Sequence, residues 1–412
     1  MTTRYFDEPY RFIPPVKSLF WARVARQMVP TLLRRSYSLA RWELRGIERL
    51  KQSLDEQAGV ILATNHSRFA DGMLTSVVGF ALDRYFYYPA SYHLFKQSRL
   101  GGWYFNQIGG YSLHREGADR ESLRETARIL AEAERPIVLF PEGTWFRQND
   151  RVGPLQEGVS LMVRQALKRG DRPLVIHPLS IKYWCLEDPR PGVNRWLDER
   201  ETLLGWRPQR HLEFIPRLDQ LTGALLGVRE REWFDTPPSG GLRQRIEGLA
   251  YRILDVLELR HGMRRQEDEI LGRTRRLRSV LVRRLAEGPS KIPPELRTAV
   301  RHDLDDLMFC EMLNAHSPEY LYERPTLERQ AETVLRIEET LTDRELPLVP
   351  MGAVIEVGAP ISARALPEAP GVGGGVKTAV DPLLALISRG LQGQLDRQLA
   401  EGPPPSWNCP KP

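Results

Sequence analysis

A histidine and an aspartate stand five residues apart at the point where an apolar run gives way to a helical pattern. The run at 60–64 is typical of a buried strand, and His66 and Asp71 follow it. Five residues of regular helix turn through about 500°, which would leave the two side chains about 140° apart. The pair can meet only if the residues between them are partly non-helical, and Asn65 and Ser67 are suitable capping residues for such a helix entry.

In contact, these two side chains would form a general-base dyad. Asp71 would hold the imidazole in one tautomer and stabilise its protonated form, while His66 would accept a proton from a substrate. A surface histidine near a helix-capping aspartate has the same spacing, and it is the commoner outcome for an isolated pattern of this kind.

Two more groups of polar residues follow predicted strands. Arg115 comes after a short strand, and the turn Glu142, Gly143 and Thr144 comes after a buried one. In open α/β sheets, ligands bind just outside the carboxyl ends of the strands. These groups and His66 can therefore form one site.

Each of these residues has chemistry suited to a phosphorylated substrate. Arg115 can hold a phosphate through two parallel hydrogen bonds. Gly143 lets the backbone approach an anion closely, and Thr144 can donate through its hydroxyl. Glu142 can hydrogen-bond an acceptor hydroxyl or fix Arg115. A structural ion pair or a tight turn is the alternative interpretation for each of them.

The chain divides into segments that differ in composition and in the period of their apolar residues. Strand and helix patterns alternate at 50–185, which indicates an α/β layer structure. Residues 186–345 are rich in Arg, Glu and Leu and predict a large helical insertion, after which 346–400 supplies a closing strand and helix. Residues 1–49 predict a basic amphipathic helical segment, and 401–412 a disordered Pro-rich tail.

Composition restricts the class of protein. The 412 residues carry a net charge of +6, which favours an acidic partner such as a phosphorylated substrate or an anionic lipid surface. Three distant cysteines give neither a disulfide framework nor a zinc site, and they fit a reducing compartment. We expect no transmembrane helix, because no apolar run reaches eighteen residues, and no secretory signal. Nucleic-acid binding is not expected, because no aromatic and basic reading motif is present.

Two basic segments bear on membrane association. Residues 1–50 carry ten Arg or Lys and four Asp or Glu, and 16–44 is amphipathic, with the pattern broken at Pro30. This segment fits a membrane interface and, equally, a helix that packs on its own domain. Residues 264–287 have a net charge of +4, and a solvated helix face is the favoured interpretation there.

Together these pieces resemble the glycerophospholipid acyltransferase family. The similarity covers about 50–185 and 346–395, and it consists of four blocks in the family's order and a closing strand. The FPEGT core of the third block is identical to that of the family, which makes the resemblance far more specific than a histidine and an aspartate alone. The blocks are Asn65–Asp71, Gly110–Arg115, Phe140–Thr144 and Val175–Ile181, and the closing strand is Glu356–Ile361.

The resemblance implies a fold and an activity. The fold would be α/β, with a mixed, mostly parallel sheet flanked by helices. The activity would be acyl transfer from acyl-CoA or acyl-carrier protein to a hydroxyl of a lysophospholipid, as in 1-acylglycerol-3-phosphate acyltransferases. It also implies a peripheral location on the cytoplasmic side of a membrane, and no cofactor or metal.

The resemblance further implies roles for single residues. His66 and Asp71 would be catalytic, no acyl-enzyme would form, and the acceptor's phosphate and glycerol would be bound by Arg115, Glu142, Gly143 and Thr144.

The chain departs from the family at three places around the expected acceptor site. Arg68 stands where serine is common, Trp145 where arginine is common, and His114 where an acidic residue is common. The acceptor can therefore be another lysolipid, or an alcohol or amine without glycerol. A non-catalytic lipid-binding or scaffold protein on a degenerate acyltransferase domain is the alternative function, and thioester hydrolysis is a further enzymatic one.

Overall fold

The computed structural model describes most of the chain, and the described residues form two compact units. The sheet unit comprises Arg11–Leu186 and Pro350–Cys409, and the helical unit is built on Glu187–Val349. The described residues are 9–117, 119–143, 147–236, 238–265, 269–286, 292–342, 348–365 and 381–410.

The sheet unit contains all eight of the described strands, and the helices are shared between the two units. The strands are β1 Leu39–Arg45, β2 Gly59–Thr64, β3 Tyr88–Ser91, β4 Gly110–Leu113, β5 Ile137–Leu139, β6 Leu174–Cys185, β7 Met351–Val357 and β8 Ile361–Ser362. The helices of the sheet unit are α1 Phe20–Ser36, α2 Ile47–Asp55, α3 Asp71–Ala81, α4 Tyr92–Lys96, α5 Arg99–Gln107, α6 Arg120–Glu132, α7 Gly158–Leu167 and α15 Pro382–Glu401. Those of the helical unit are α8 Arg190–Leu203, α9 Phe214–Trp233, α10 Leu242–Arg260, α11 Ile270–Ala286, α12 Pro294–Ala315, α13 Pro318–Glu323 and α14 Leu327–Thr342.

The main sheet is mixed and mostly parallel. Its strand order is β1-β7-β6-β2-β5, with β8 also paired to β6. β2 runs parallel to β5 and β6, and β1 runs parallel to β7, whereas β7 and β8 run antiparallel to β6. All six residues of β2 are buried, as expected for a central parallel strand covered on both faces. The predicted α/β fold class is confirmed.

A second sheet continues the direction of the first. β3 and β4 pair in parallel, and Tyr87, just before β3, forms a parallel bridge to Ile137 of β5. β2, β5 and β4 therefore point the same way, and the residues that follow their carboxyl ends emerge at one edge. This is the edge that carries His66, Glu142 and Arg115.

The helical unit has its own apolar cores. One core lies among α9, α10, α11 and α12, and a smaller one among α8, α9, α13 and α14. Part of the positive charge of α11 lies inside the unit, because Arg273 is 1% exposed and pairs with Glu258 at 2.6 Å. No described helix in either unit is long and apolar enough to cross a membrane.

The prediction for residues 1–49 was wrong in two respects. α1 continues through Pro30 instead of breaking there, and residues 39–45 form strand β1 at the edge of the sheet. The physical reason is a period of two, since Trp42 and Leu44 alternate with charged residues as a strand requires. The alternation is short, and it is hidden in a segment whose strongest feature is its basic charge.

The predicted disorder of 401–412 was also wrong for the described residues of that segment. Residues 405–407 form a turn of 3-10 helix, and Trp407 is 8% exposed in a small cluster with Trp184 and Val354. Gly352 makes room for the indole, because a Cβ atom there would lie 2.4 Å from the Trp407 ring. A single large aromatic side chain is enough to fix a Pro-rich tail.

Candidate active site

His66 and Asp71 are in contact in the loop between β2 and α3. The His66 Nδ1 atom lies 2.9 Å from Asp71 Oδ2. Residues 65–70 are not helical, so the separation that a regular helix would impose does not arise. The backbone N–H groups of Ser67 and Arg68 also donate to Asp71 Oδ2, at 2.7 and 2.8 Å, so the aspartate fixes the loop that carries the histidine.

The surroundings of His66 determine its protonation. The Asp71 carboxylate can only accept, so His66 Nδ1 carries the proton of this hydrogen bond and Nε2 is left as a proton acceptor. Burial lowers the pKa of His66, the Asp71 carboxylate opposes that shift, and the charges of Arg115 and Arg147 lower the pKa further. The ring packs on Phe140, with ring centroids 4.1 Å apart. The imidazole is thus neutral and fixed at neutral pH, as a general base must be.

Glu142 lies opposite His66 because of the strand register. β2 and β5 pair with Ile61 opposite Ile137, and the same register continued past the strand ends places His66 beside Glu142. The His66 backbone N–H donates to Glu142 Oε1 at 3.4 Å, and Glu142 is 2% exposed. The Glu142 carboxylate therefore lies beside the dyad in a buried position.

The turn after Glu142 has a left-handed backbone conformation at Gly143. Gly143 has φ +70°, and a Cβ atom there would lie 2.8 Å from the side chain of Gln156. A side chain at position 143 would be strained, so the tight turn depends on glycine. Thr144, the last residue of the predicted anion-binding turn, lies outside the described residues, as does Trp145.

Two arginines bring positive charge to the dyad. Arg115 follows β4, is exposed, and lies close enough to His66 for its charge to lower the pKa of the imidazole. Arg147 is buried, and its backbone N–H donates to the His66 carbonyl at 3.4 Å. The sequence predicted Arg115 at this edge. Arg147 was not among the predicted site residues.

Tyr183 is a site residue that the sequence did not indicate. It lies near the carboxyl end of β6, its side chain is buried, and its hydroxyl donates a hydrogen bond to Asp71 Oδ1. The only sequence signal was its place on a predicted buried strand, and an apolar strand residue with a polar tip is common in cores.

Near the end of β6, two asparagine side chains form the backbone hydrogen bonds that a neighbouring strand would otherwise form. β2 stops at Thr64, and beyond it the amide of Asn65 donates to and accepts from the backbone of Ile181, at 3.0 and 2.8 Å. The amide of Asn149 does the same with the backbone of Tyr183, at 2.8 and 2.7 Å. The last part of β6 is thereby fixed on its β2 side as well as on its β7 side.

The fold and the site define the class of protein. A neutral, oriented histidine beside positive charge, at the carboxyl edge of a mostly parallel sheet, can remove a proton from a hydroxyl of an anionic substrate. Residues 41–182, about a third of the chain, match the sequence model of a family described as Acyltransferase. This segment is therefore a domain of the glycerophospholipid acyltransferase family, and the match supports acyl transfer as its general activity. No curated protein matches the chain significantly.

Proposed function

We propose that the chain transfers a fatty acyl group from acyl-CoA or acyl-carrier protein to a hydroxyl of a lysophospholipid that resembles 1-acylglycerol 3-phosphate. The observation that supports it most is the 2.9 Å contact of His66 with a fully buried Asp71 inside a domain of the acyltransferase family. The proposal requires no cofactor besides the acyl donor.

The reaction follows from the tautomer of His66, in which Nδ1 carries the proton and Nε2 is the proton acceptor. This nitrogen takes the proton of the acceptor hydroxyl while the oxygen forms a bond to the carbonyl carbon of the thioester. The carbon–sulfur bond then breaks, and the thiolate leaves with the proton that the imidazolium gives back. Asp71 stabilises the imidazolium between the two proton transfers. The products are the new ester and a free thiol, and no acyl-enzyme is needed.

The acceptor would lie against the edge beyond β4 and β5. Arg115 and Arg147 supply positive charge for the phosphate, and both charges reach His66. Glu142 and Gly143 bind the glycerol part in this proposal, and Thr144 completes the turn. A phosphate held at this edge would bring the hydroxyl of the same molecule toward Nε2.

The proposal is tested with the purified full-length chain. We expect labelled acyl groups to move from acyl-CoA or acyl-carrier protein to at least one member of a panel of lysophospholipids, as read by mass spectrometry of the lipid products. Free fatty acid in place of acylated lipid would indicate thioester hydrolysis. Lipid binding without turnover of either donor would support the alternative, a non-catalytic lipid-binding or scaffold protein.

We also propose a peripheral position on the cytoplasmic side of a membrane, where such acceptors reside. The supporting feature is an aromatic and basic patch on α1 and α5, formed by Phe20, Arg23, Arg99, Leu100 and Trp103. Phe20 is 63% exposed, Leu100 73% and Trp103 45%, and both arginines are exposed. Trp21 joins the two helices, because its ring packs against those of Phe20 and Trp103. Exposed aromatic and basic side chains on one surface suit the interface of an anionic bilayer.

Replacing the aromatic part of this patch should weaken binding to membranes. We expect the double variant Phe20→Ser/Trp103→Ser to bind anionic phosphatidylglycerol vesicles about tenfold less tightly in a sedimentation assay, because it loses two apolar anchors. Leu259→Ser is the matched control, since Leu259 is 82% exposed but lies in the helical unit. Equal binding by the double variant and the wild type would exclude this surface as the site of attachment.

A further inference from the structure

The two oxygens of the Asp71 carboxylate have different partners. Oδ2 accepts from the His66 ring and from the N–H groups of Ser67 and Arg68, all of which belong to the same loop. Oδ1 accepts from the hydroxyl of Tyr183, which lies on β6. Asp71 is 0% exposed, so solvent does not reach the carboxylate. Tyr183 is therefore the long-range contact that ties this carboxylate to the sheet.

Tyr183 is itself held rigidly. Its backbone N–H donates to Asn149 Oδ1 and its carbonyl accepts from Asn149 Nδ2, while β7 pairs with it on the other side. Tyr183 is 1% exposed, and the guanidinium of Arg68 stacks over its ring at 5.0 Å from the ring centroid. A cation over an aromatic face is attractive and restrains the ring. The hydroxyl is thus presented to Asp71 from a fixed position.

We propose that Tyr183 is a positioning residue for the His66–Asp71 dyad: its hydroxyl fixes the rotation of the Asp71 carboxylate, and Oδ2 then fixes the imidazole with its proton on Nδ1. The inference rests on the proposed function only for its kinetic consequence. The carboxylate can rotate about its Cβ–Cγ bond, and all three donors on Oδ2 belong to the loop that the carboxylate itself holds in place. The Tyr183 hydroxyl restrains this rotation from outside the loop, on the sheet.

This role also accounts for Arg68, where the chain departs from the family. The side chain of Arg68 covers the ring that bonds Oδ1, and its backbone N–H donates to Oδ2. Arg68 therefore contacts both the Tyr183 ring, whose hydroxyl donates to Oδ1, and the Oδ2 atom of Asp71. The side chain acts on the dyad through Tyr183 and needs no contact with the substrate for this purpose.

The test is the variant Tyr183→Phe in the full-length chain. It keeps the ring and the contact with Arg68 and removes only the hydroxyl. We expect kcat for acyl transfer to fall by about 10- to 100-fold with KM within about twofold of the wild type, because a buried charged group loses a donor that the substrate never contacts. The Asp71 carboxylate raises the pKa of His66, and without the Tyr183 donor it should stabilise the imidazolium more strongly, so the acid limb of the rate profile should move to higher pH.

The matched control is Tyr111→Phe. Tyr111 is fully buried in the same unit, and its hydroxyl bonds Thr126 Oγ1 at 2.7 Å, away from the dyad. This variant removes a buried hydroxyl of the same kind, and we expect it to leave kcat and the pH profile unchanged. An equal loss in both variants would show a general effect on stability and would overturn the proposed role of Tyr183.

A second readout does not depend on activity. The ring proton of His66 can be assigned by NMR of the chain labelled with ¹⁵N-histidine, with a His66 variant to identify the signal among eight histidines. We expect the Nδ1–H form in the wild type and a mixture of tautomers in Tyr183→Phe. An unchanged tautomer, or an unchanged kcat and acid limb, would overturn the inference. Absence of acyl transfer in the wild type would reject the proposed function but leave this measurement decisive for Tyr183.

Discussion

The variant His66→Ala should lose acyl transfer by about 10²- to 10⁴-fold, the usual contribution of a general base. The methyl group cannot take the proton of the acceptor hydroxyl, and the buried Tyr183 hydroxyl, which also contacts Asp71, is a donor to it and not a base. The fold should survive, because the imidazole side chain is 15% exposed and lies in a loop. Rates are measured with labelled acyl donor under saturating acceptor, and folding is checked by circular dichroism.

Two comparisons make this result specific. Asp71→Asn keeps the size of the side chain but removes the carboxylate that orients the ring, so we expect a comparable loss of kcat. His302→Ala changes an exposed histidine of the helical unit and should have the wild-type rate. Full activity of His66→Ala would mean that the proton is taken elsewhere, and the proposed mechanism would fail.

The pH dependence of the rate tests independently whether His66 is the base. The pKa of His66 is lowered by burial and by the two nearby arginines, so the neutral, active form persists below the usual histidine value of about 6.5. The rate should therefore stay level as the pH falls through that value and decline only below it. A decline that begins above it would contradict the assignment of His66 as the base.

The largest expected effect on stability is at the buried ion pair of Lys182 and Asp150. Both side chains are 1% exposed, and the Lys182 ammonium also lies 4.7 Å from the centroid of the Trp184 ring. Lys182→Met keeps the apolar stem but removes the ammonium group from beside the buried Asp150 carboxylate. Removing one partner of such a pair costs about 3–5 kcal/mol. We expect the opening free energy of β6 and β7 amides, measured by hydrogen exchange, to fall by that amount.

Hydrogen exchange is suited to this test because the chain has two units and a single thermal transition would mix them. The double variant Lys182→Met/Asp150→Leu removes both charges and should recover most of the protection. Arg243→Met breaks an exposed pair with Glu247 and should leave protection unchanged. Equal protection in Lys182→Met and in the wild type would contradict the expected cost of removing this cation.

Local patterns were sufficient for the fold class and for the first members of the site. The apolar run of β2, with His66 directly after it, and the FPEGT turn could be recognised without coordinates, and parallel strands bring their ends to one edge. The sheet and the family are confirmed. The catalytic and binding roles of the residues stay predictions.

The remaining site residues could not be predicted, for a common physical reason. Tyr183 and Asn149 act through contacts with residues distant in sequence, and neither has a local pattern that reports its partner. β1 and Trp407 were missed because composition was given more weight than a short alternation and a single aromatic residue. Tertiary packing overrides local preference in such segments.

The position of β7 has a consequence for synthesis on the ribosome. This strand lies between β1 and β6, but it is made only after the whole helical unit. At translation rates of about 5–20 residues per second, the nascent chain waits on the order of ten seconds with one edge of β6 unpaired. Unpaired strand edges recruit other chains, so a chaperone that shields this edge would raise the yield of soluble protein.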